Sequence, residues 1–198
     1  MSQNPFGTRL YRNVIRPIAF RVDPERAHYW TMGLFGFGLR LPVVGAALRR
    51  SLRPGNLSGD ALTIAGLAFP HRVGLAAGFD KDGRWLHALK AMGFAFVEVG
   101  TVTPRPQPGN PKPRLFRLKR DRGLINRMGF NNGGLEALVK RLENRPAGLI
   151  VGGNIGRNKA TPNAHAADDY FACFVGLHAH VDYLSLIHIS EPTRLHGI

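Results

Sequence analysis

Three short segments carry residue types suited to holding a flat, polar ligand. They are Ala76-Ala77-Gly78-Phe79-Asp80-Lys81, Glu98-Val99-Gly100-Thr101 and Gly153-Asn154-Ile155-Gly156-Arg157-Asn158-Lys159. Each follows an apolar run that reads as a strand, at residues 73–77, 96–100 and 149–153. Small residues such as Ala77 and Gly78 let a planar ring approach the backbone. Thr101 and Asn154 offer donors and acceptors for ring heteroatoms, and Lys81 supplies a positive charge. Taken singly, each segment is also what ordinary turn geometry after a strand would produce. A fourth segment is the loop running from Thr103 to Asn132, stiffened near its start by five prolines. Loops of that length are uncommon in compact domains unless they have a function. Asn126, Asn131 and the neighbouring amides suit a small polar anion; the alternative is a solvated basic loop.

Other chemistries lack their residues. Neither a G-x-G-x-x-G turn nor a G-x-x-x-x-G-K-[ST] loop occurs. The eight histidines show no H-E-x-x-H spacing and the single cysteine cannot build a zinc site, so no metal is expected. Cys173 reads as a small core residue, and His178 and His180 as the surface end of a helix. Asp168 and Asp169 read as ordinary exposed helix residues.

Residues 9–53 read as helical. Asp23-Pro24-Glu25 is a helix start, with Asp23 as cap, Pro24 in the first turn and Glu25 at the positive end of the dipole. Pro42 opens a second helix ending in Arg49, Arg50 and Arg53. Apolar bulk flanked by arginines fits either a packed helical subdomain or a helix pair on an anionic membrane surface. Pro54-Gly55-Asn56 breaks the pattern and marks a boundary. Beyond it come an extended piece at 62–69, a strand at 73–77 and a helix at 82–92. A strand at 96–100 leads to the long loop, with extended pieces near Leu115 and Leu124. A helix at 134–143, a strand at 149–153, a helix at 163–178 and a strand from Asp182 complete the series. Strands alternating with helices predict an α/β fold with a parallel sheet. Residues 62 to 184 give about four units of roughly 30 residues, half of an eight-fold barrel.

Lys and Arg number 27 against 13 Asp and Glu, a formal charge of +14. That excess implies anionic company, and a basic nucleic-acid- or acidic-lipid-binding module is the alternative reading. No zinc-finger spacing, RNP-type aromatic signature or basic recognition helix is present, so nucleic acid is not expected. No apolar stretch reaches the roughly 18 residues of a membrane span, and arginines interrupt the apolar runs near the start, so no secretory signal is expected.

The segments above resemble the signatures of class 2, quinone-dependent dihydroorotate dehydrogenases. Residues 76–83 (AAGFDKDG) resemble that family's flavin turn. Residues 98–117 (EVGTVTPRPQPGNPKPRLFR) and 124–132 (LINRMGFNN) resemble its next two motifs, and NIGRNK at 154–159 followed by Thr161-Pro162 its fourth. Arg16-Pro17 and residues 23–28 (DPERAH) extend the likeness into the helices. The resemblance implies a TIM-type βα barrel, present as its first half over residues 56–184. It also implies an N-terminal helical segment over residues 1–55 for membrane association and quinone access. The implied function is oxidation of dihydroorotate to orotate in de novo pyrimidine (UMP) biosynthesis, with FMN as hydride acceptor and a membrane quinone as final acceptor. By the same resemblance, Ala77, Gly78, Phe79, Asp80, Lys81, Thr101 and Asn154 contact FMN. Lys81, Asn126, Arg127, Met128, Gly129 and Phe130 bind the substrate. The implied location is peripheral, on the cytoplasmic face of a bacterial inner membrane.

The resemblance weakens after Leu184. Where the family has two asparagines around its serine base, this chain has Ile187 and Pro192. Ser190 falls in register with the serine but is not assigned as the base, so no catalytic residue is assigned. LSLIHISEPTR, residues 184–194, resembles a translated sequencing adaptor, which makes residues 185–198 a non-native tail on this reading and the chain inactive by itself.

Overall fold

The computed structural model describes residues 5–52 and 60–187. The expected boundary at Pro54-Gly55-Asn56 lies outside the described residues, as do Ser190 and Pro192. The described residues form two compact units, 5–52 with 110–128, and 60–109 with 129–187.

The first unit begins with helix α1 (Pro5–Leu10), a π-helical turn (Tyr11–Ile15) and α2 (Arg16–Ala19). Helix α3 (Pro24–Arg40) starts as its sequence requires: Asp23 Oδ1 accepts the Arg26 N–H at 3.0 Å, and Pro24 occupies the first turn. Leu41 is extended, as the residue before a proline prefers, and Pro42 opens α4 (Pro42–Ser51). The two helices meet at 111°. No single described helix is long and apolar enough to cross a membrane. Met32 and Leu39 are buried, whereas Trp30, Leu34, Phe37, Val43 and Val44 are exposed. Strands β4 (Leu115–Leu118) and β5 (Gly123–Asn126) form an antiparallel hairpin in this unit, turning through residues 119–122.

A buried ion pair ties α3 to that hairpin. Arg114 Nε and an Nη donate to the two Glu25 carboxylate oxygens at 2.9 and 2.6 Å. Arg114 lowers the Glu25 pKa, chiefly through this bond, and the Lys112 ammonium 3.5 Å away acts in the same direction. Arg117 donates to the Val22 carbonyl at 2.6 Å and lies over the Phe20 ring.

The second unit is a parallel sheet with helices on its outer face. Strands β3 (Phe96–Val102), β6 (Ile150–Ile155) and β7 (Tyr183–Leu186) are adjacent in that order, all parallel. Leu75 bridges to Val97 on the far side of β3, also in parallel. The expected strand at 73–77 is therefore reduced to one formal bridge. It still runs along β3, since Ala95 N, Leu75 N, Glu98 N and Gly78 N make hydrogen bonds between the two segments. Helices α5 (Leu86–Ala91), α6 (Leu135–Leu142) and α7 (Ala166–Leu177) occupy the connections. Each successive parallel segment adds on the same side, which is the progression of a βα barrel; a doubly wound sheet reverses direction.

Leu89, Val97, Val99, Leu138, Val151, Cys173 and Leu177 form the core between sheet and helices. Burial pushes the Cys173 thiol up to about 12, in keeping with a packing role. Strands β1 (Leu62–Ile64) and β2 (Leu67–Phe69) make a separate hairpin through Ala65 and Gly66, both at positive φ. Phe69 packs edge-on against Phe96.

Two helix boundaries differ from expectation. The helix predicted from residue 82 begins at Leu86, because Asp80 holds the preceding turn open by accepting from the Arg84 and Trp85 amides. The helix predicted from 163 opens with a 3-10 turn (Asn163–His165) before α7.

Candidate ligand site at the strand ends

The three expected ligand loops lie together at the carboxyl ends of the parallel segments. Gly78 follows the 73–77 segment, donates to the Gly100 carbonyl at 2.8 Å and has φ +100°. A Cβ built there would meet nothing within 4 Å, so the backbone at this point faces open space. Ala77 beside it is half-buried and the Phe79 ring is exposed.

Asp80 does a different job from its neighbours. It is 1% exposed, and its carboxylate oxygens accept the Arg84 and Trp85 N–H groups at 2.8 and 2.7 Å. Burial raises its pKa, the two amides lower it, and the nearby Asp82 charge raises it further. Its side chain thus fixes the turn that carries Lys81. The Lys81 ammonium donates to Asn131 Oδ1 at 2.7 Å.

At the ends of β3 and β6, Thr101 Oγ1 donates to Asn154 Oδ1 at 2.5 Å, both side chains being buried. Asn154 Nδ2 donates to Ser185 Oγ at 2.7 Å, and Ser185 donates onward to Glu98 Oε1 at 2.6 Å. The Tyr183 hydroxyl donates to the other Glu98 oxygen at 3.2 Å. Burial, then the Glu98 charge, raises the Tyr183 pKa and keeps that phenol a donor. This chain fixes the orientation of the Asn154 amide. An amide nitrogen carries two hydrogens, and Ser185 takes one of them.

The expected substrate residues fall in both units. Gly129 and Phe130 belong with the sheet, at φ +72° and +53°. Asn126, Arg127 and Met128 belong with the helical unit, at the end of β5. There Asn126 Oδ1 accepts the Met128 N–H at 2.9 Å, making a compact turn. Asn110 bonds the Arg127 and Met128 carbonyls, and the Arg127 guanidinium lies over the Phe116 ring.

Sequence reasoning missed a polar hub made by the buried Thr103, Asn132 and Asn158 together with the half-buried Gln107. Asn158 Nδ2 reaches Thr103 Oγ1, the Arg105 carbonyl and Gln107 Oε1 at 3.0, 2.8 and 3.2 Å. Asn132 Nδ2 donates to Thr103 Oγ1 and to the Phe130 carbonyl, both at 2.9 Å. Asp169, expected to be an ordinary exposed residue, accepts the Asn158 N–H at 2.7 Å. The available signal was the run of amide side chains flanking the proline-rich loop. His178 is exposed at the end of α7, as expected.

The fold and these loops define a βα-barrel protein with its ligand-facing surface at the strand ends, the position such barrels use for catalysis. The family model described as dihydroorotate dehydrogenase matches residues 61–196. A curated dihydroorotate dehydrogenase (quinone) from Christiangramia forsetii is 46% identical over 92% of this chain and 53% of its own length. That of Thiobacillus denitrificans is 49% identical over 91% of this chain and 51% of its own. A crystal structure of the Eimeria tenella enzyme with ferulenol superposes with a TM-score of 0.65 at 40% identity, covering 83% of this chain and 43% of that one. The chain belongs to the dihydroorotate dehydrogenase family and spans about half the length of the curated relatives it matches.

Proposed function

We propose that this chain is the N-terminal part of a quinone-dependent dihydroorotate dehydrogenase, which oxidises dihydroorotate to orotate in de novo pyrimidine biosynthesis. The observation that carries the reading is the meeting of Gly78, Thr101 and Asn154 at the ends of adjacent parallel segments, with Lys81 on the same turn as Gly78. The residues suit FMN. The open backbone at Gly78 admits a flat ring, and Thr101 and Asn154, paired with each other, present polar groups for its heteroatoms. When bound, FMN supplies a two-electron acceptor for the hydride leaving the substrate ring. Lys81 attracts the substrate carboxylate, and Phe79 and Phe130 offer exposed rings. In this reading Asn126 to Phe130 orient the substrate, and Asp80 acts by holding the turn rather than by touching the flavin. The base is contributed by no described residue.

Trp30, Leu34 and Phe37 project from α3 and Val43 from α4, while arginines 40, 49 and 50 close the helices. Exposed apolar side chains flanked by cations favour the surface of an anionic bilayer, which supports peripheral membrane association and a lipid-soluble quinone as final acceptor.

The test joins residues 1–184 of this chain to the C-terminal half of the Thiobacillus denitrificans relative. The chimera is expected to copurify with FMN and reduce a quinone in the presence of dihydroorotate, while the 198-residue chain alone shows no turnover. A chimera that folds yet neither binds FMN nor oxidises dihydroorotate would sink the reading. Tight, salt-dependent DNA binding by such a chimera would point instead to a basic binding module.

A further inference from the structure

Phe130 adopts φ +53°, a left-handed conformation that residues with a Cβ rarely occupy, so its surroundings must hold it there. They do so through its carbonyl, which accepts from Gln107 Nε2 at 3.0 Å and Asn132 Nδ2 at 2.9 Å. Gln107 and Asn132 are themselves paired, each N–H donating to the other's carbonyl at 3.1 Å. The other end of the Gln107 amide is also fixed, its Oε1 accepting from the Lys159 N–H at 3.0 Å and from Asn158 Nδ2 at 3.2 Å. Asn132 Oδ1 accepts the Gly134 N–H at 2.9 Å. Beyond Asn131, the Gly133 N–H donates to Asp82 Oδ1 at 2.7 Å. Asn131 therefore sits between two anchored points, and the second anchor is the residue next to Lys81. Its own Oδ1 receives the Lys81 ammonium at 2.7 Å.

We infer that Asn131, carried on the turn that Gln107 and Asn132 hold, is a positioning residue that sets where the Lys81 ammonium sits. A neutral acceptor suits that task, because it orients an ammonium without itself cancelling the charge. Asp82, the carboxylate adjacent in sequence, is engaged by the Gly133 amide and by Arg84 at 3.2 Å. The inference rests on the proposal that Lys81 receives the carboxylate of a planar ring acid, and it extends that proposal to the residue that aims the lysine.

Competitive acetylation of the 198-residue chain, read lysine by lysine by mass spectrometry, tests it. Only the neutral amine reacts, and a hydrogen bond that favours the ammonium slows the reaction. Relative to exposed Lys140, Lys81 labelling is expected to rise roughly fivefold in Asn131→Leu, the scale of one lost hydrogen bond. Asn131→Asp keeps an acceptor and is expected to label at or below the wild-type rate. An unchanged Lys81-to-Lys140 ratio in folded Asn131→Leu overturns the inference, as does a rise in Asn131→Asp. If Asn131→Leu does not fold, all its lysines react together, and the Asn131→Asp result alone decides. Orotate added while the FMN-loaded chimera, rather than the 198-residue chain, is labelled separates the two claims. Protection of wild-type Lys81 is expected, and its absence beside an intact Asn131→Leu response overturns the substrate role of Lys81 while leaving the positioning role standing.

Discussion

Two buried carboxylates in this chain are held by opposite means. Asp80 is satisfied by backbone amides at the cost of desolvation, whereas Glu25 is satisfied by a guanidinium. Removing the Asp80 carboxylate leaves two amides of a partly buried turn without their acceptor, so Asp80→Ala is expected to cost about 2 kcal/mol. Urea unfolding of the chain checks this, and a change under about 0.5 kcal/mol would show that the turn stands without it. For Glu25 the pH dependence has a definite sign. Folding lowers its pKa, so the pair's contribution is complete above the unfolded glutamate value of about 4.3 and is lost as pH falls through the folded value. Arg114→Met leaves the buried Glu25 charge with only the exposed Lys112 ammonium 3.5 Å away and is expected to destabilise by about 2–3 kcal/mol at pH 7. The loss should shrink as the pH is lowered and Glu25 becomes neutral. A loss that stays constant from pH 7 to pH 3 would show that the pair's charge is immaterial.

At the scale of elements, the bend between α3 and α4 depends on Gly45. A Cβ there would lie 2.4 Å from the Leu39 carbonyl oxygen, which is backbone and cannot swing aside. Gly45→Ala is expected to cost about 1–3 kcal/mol by forcing the helices apart, read as a lower thermal midpoint of the helical signal. An unchanged midpoint would mean that the bend relaxes freely. The Asp23-Pro24 start of α3 was legible because a cap and its amide lie three residues apart. The start of α5 was not, because Asp80 reaches four and five residues forward and delays the helix. The 73–77 strand was legible as an apolar run, but its single formal bridge depends on where β3 lies.

For the molecule as a whole, strand order matters most. Among the described residues β7 pairs only with β6, so its outer edge offers unpaired backbone groups, with Leu186 half exposed at its end. Such an edge invites pairing with another chain. Sedimentation of the 198-residue chain is expected to show concentration-dependent association, reduced by Leu186→Lys. A monomer at every concentration, or association indifferent to that substitution, would contradict the edge as its cause.

The sequence by itself determined what is local. Helix starts, strand periodicity, the types of residue at the strand ends and the likeness to a family are all carried by near neighbours along the chain. Tertiary structure alone decided the pairings that make a site of them. Thr101 meets Asn154 across 53 residues, Lys81 meets Asn131 across 50, and Glu25 meets Arg114 across 89. Nothing in the residue types selects those partners. They follow from parallel strands stacking side by side and from buried polar groups needing an acceptor once water is excluded. The same requirement drew Asn132 and Asn158 into the hub beneath the loop, where amide side chains that read as loop composition became its supports.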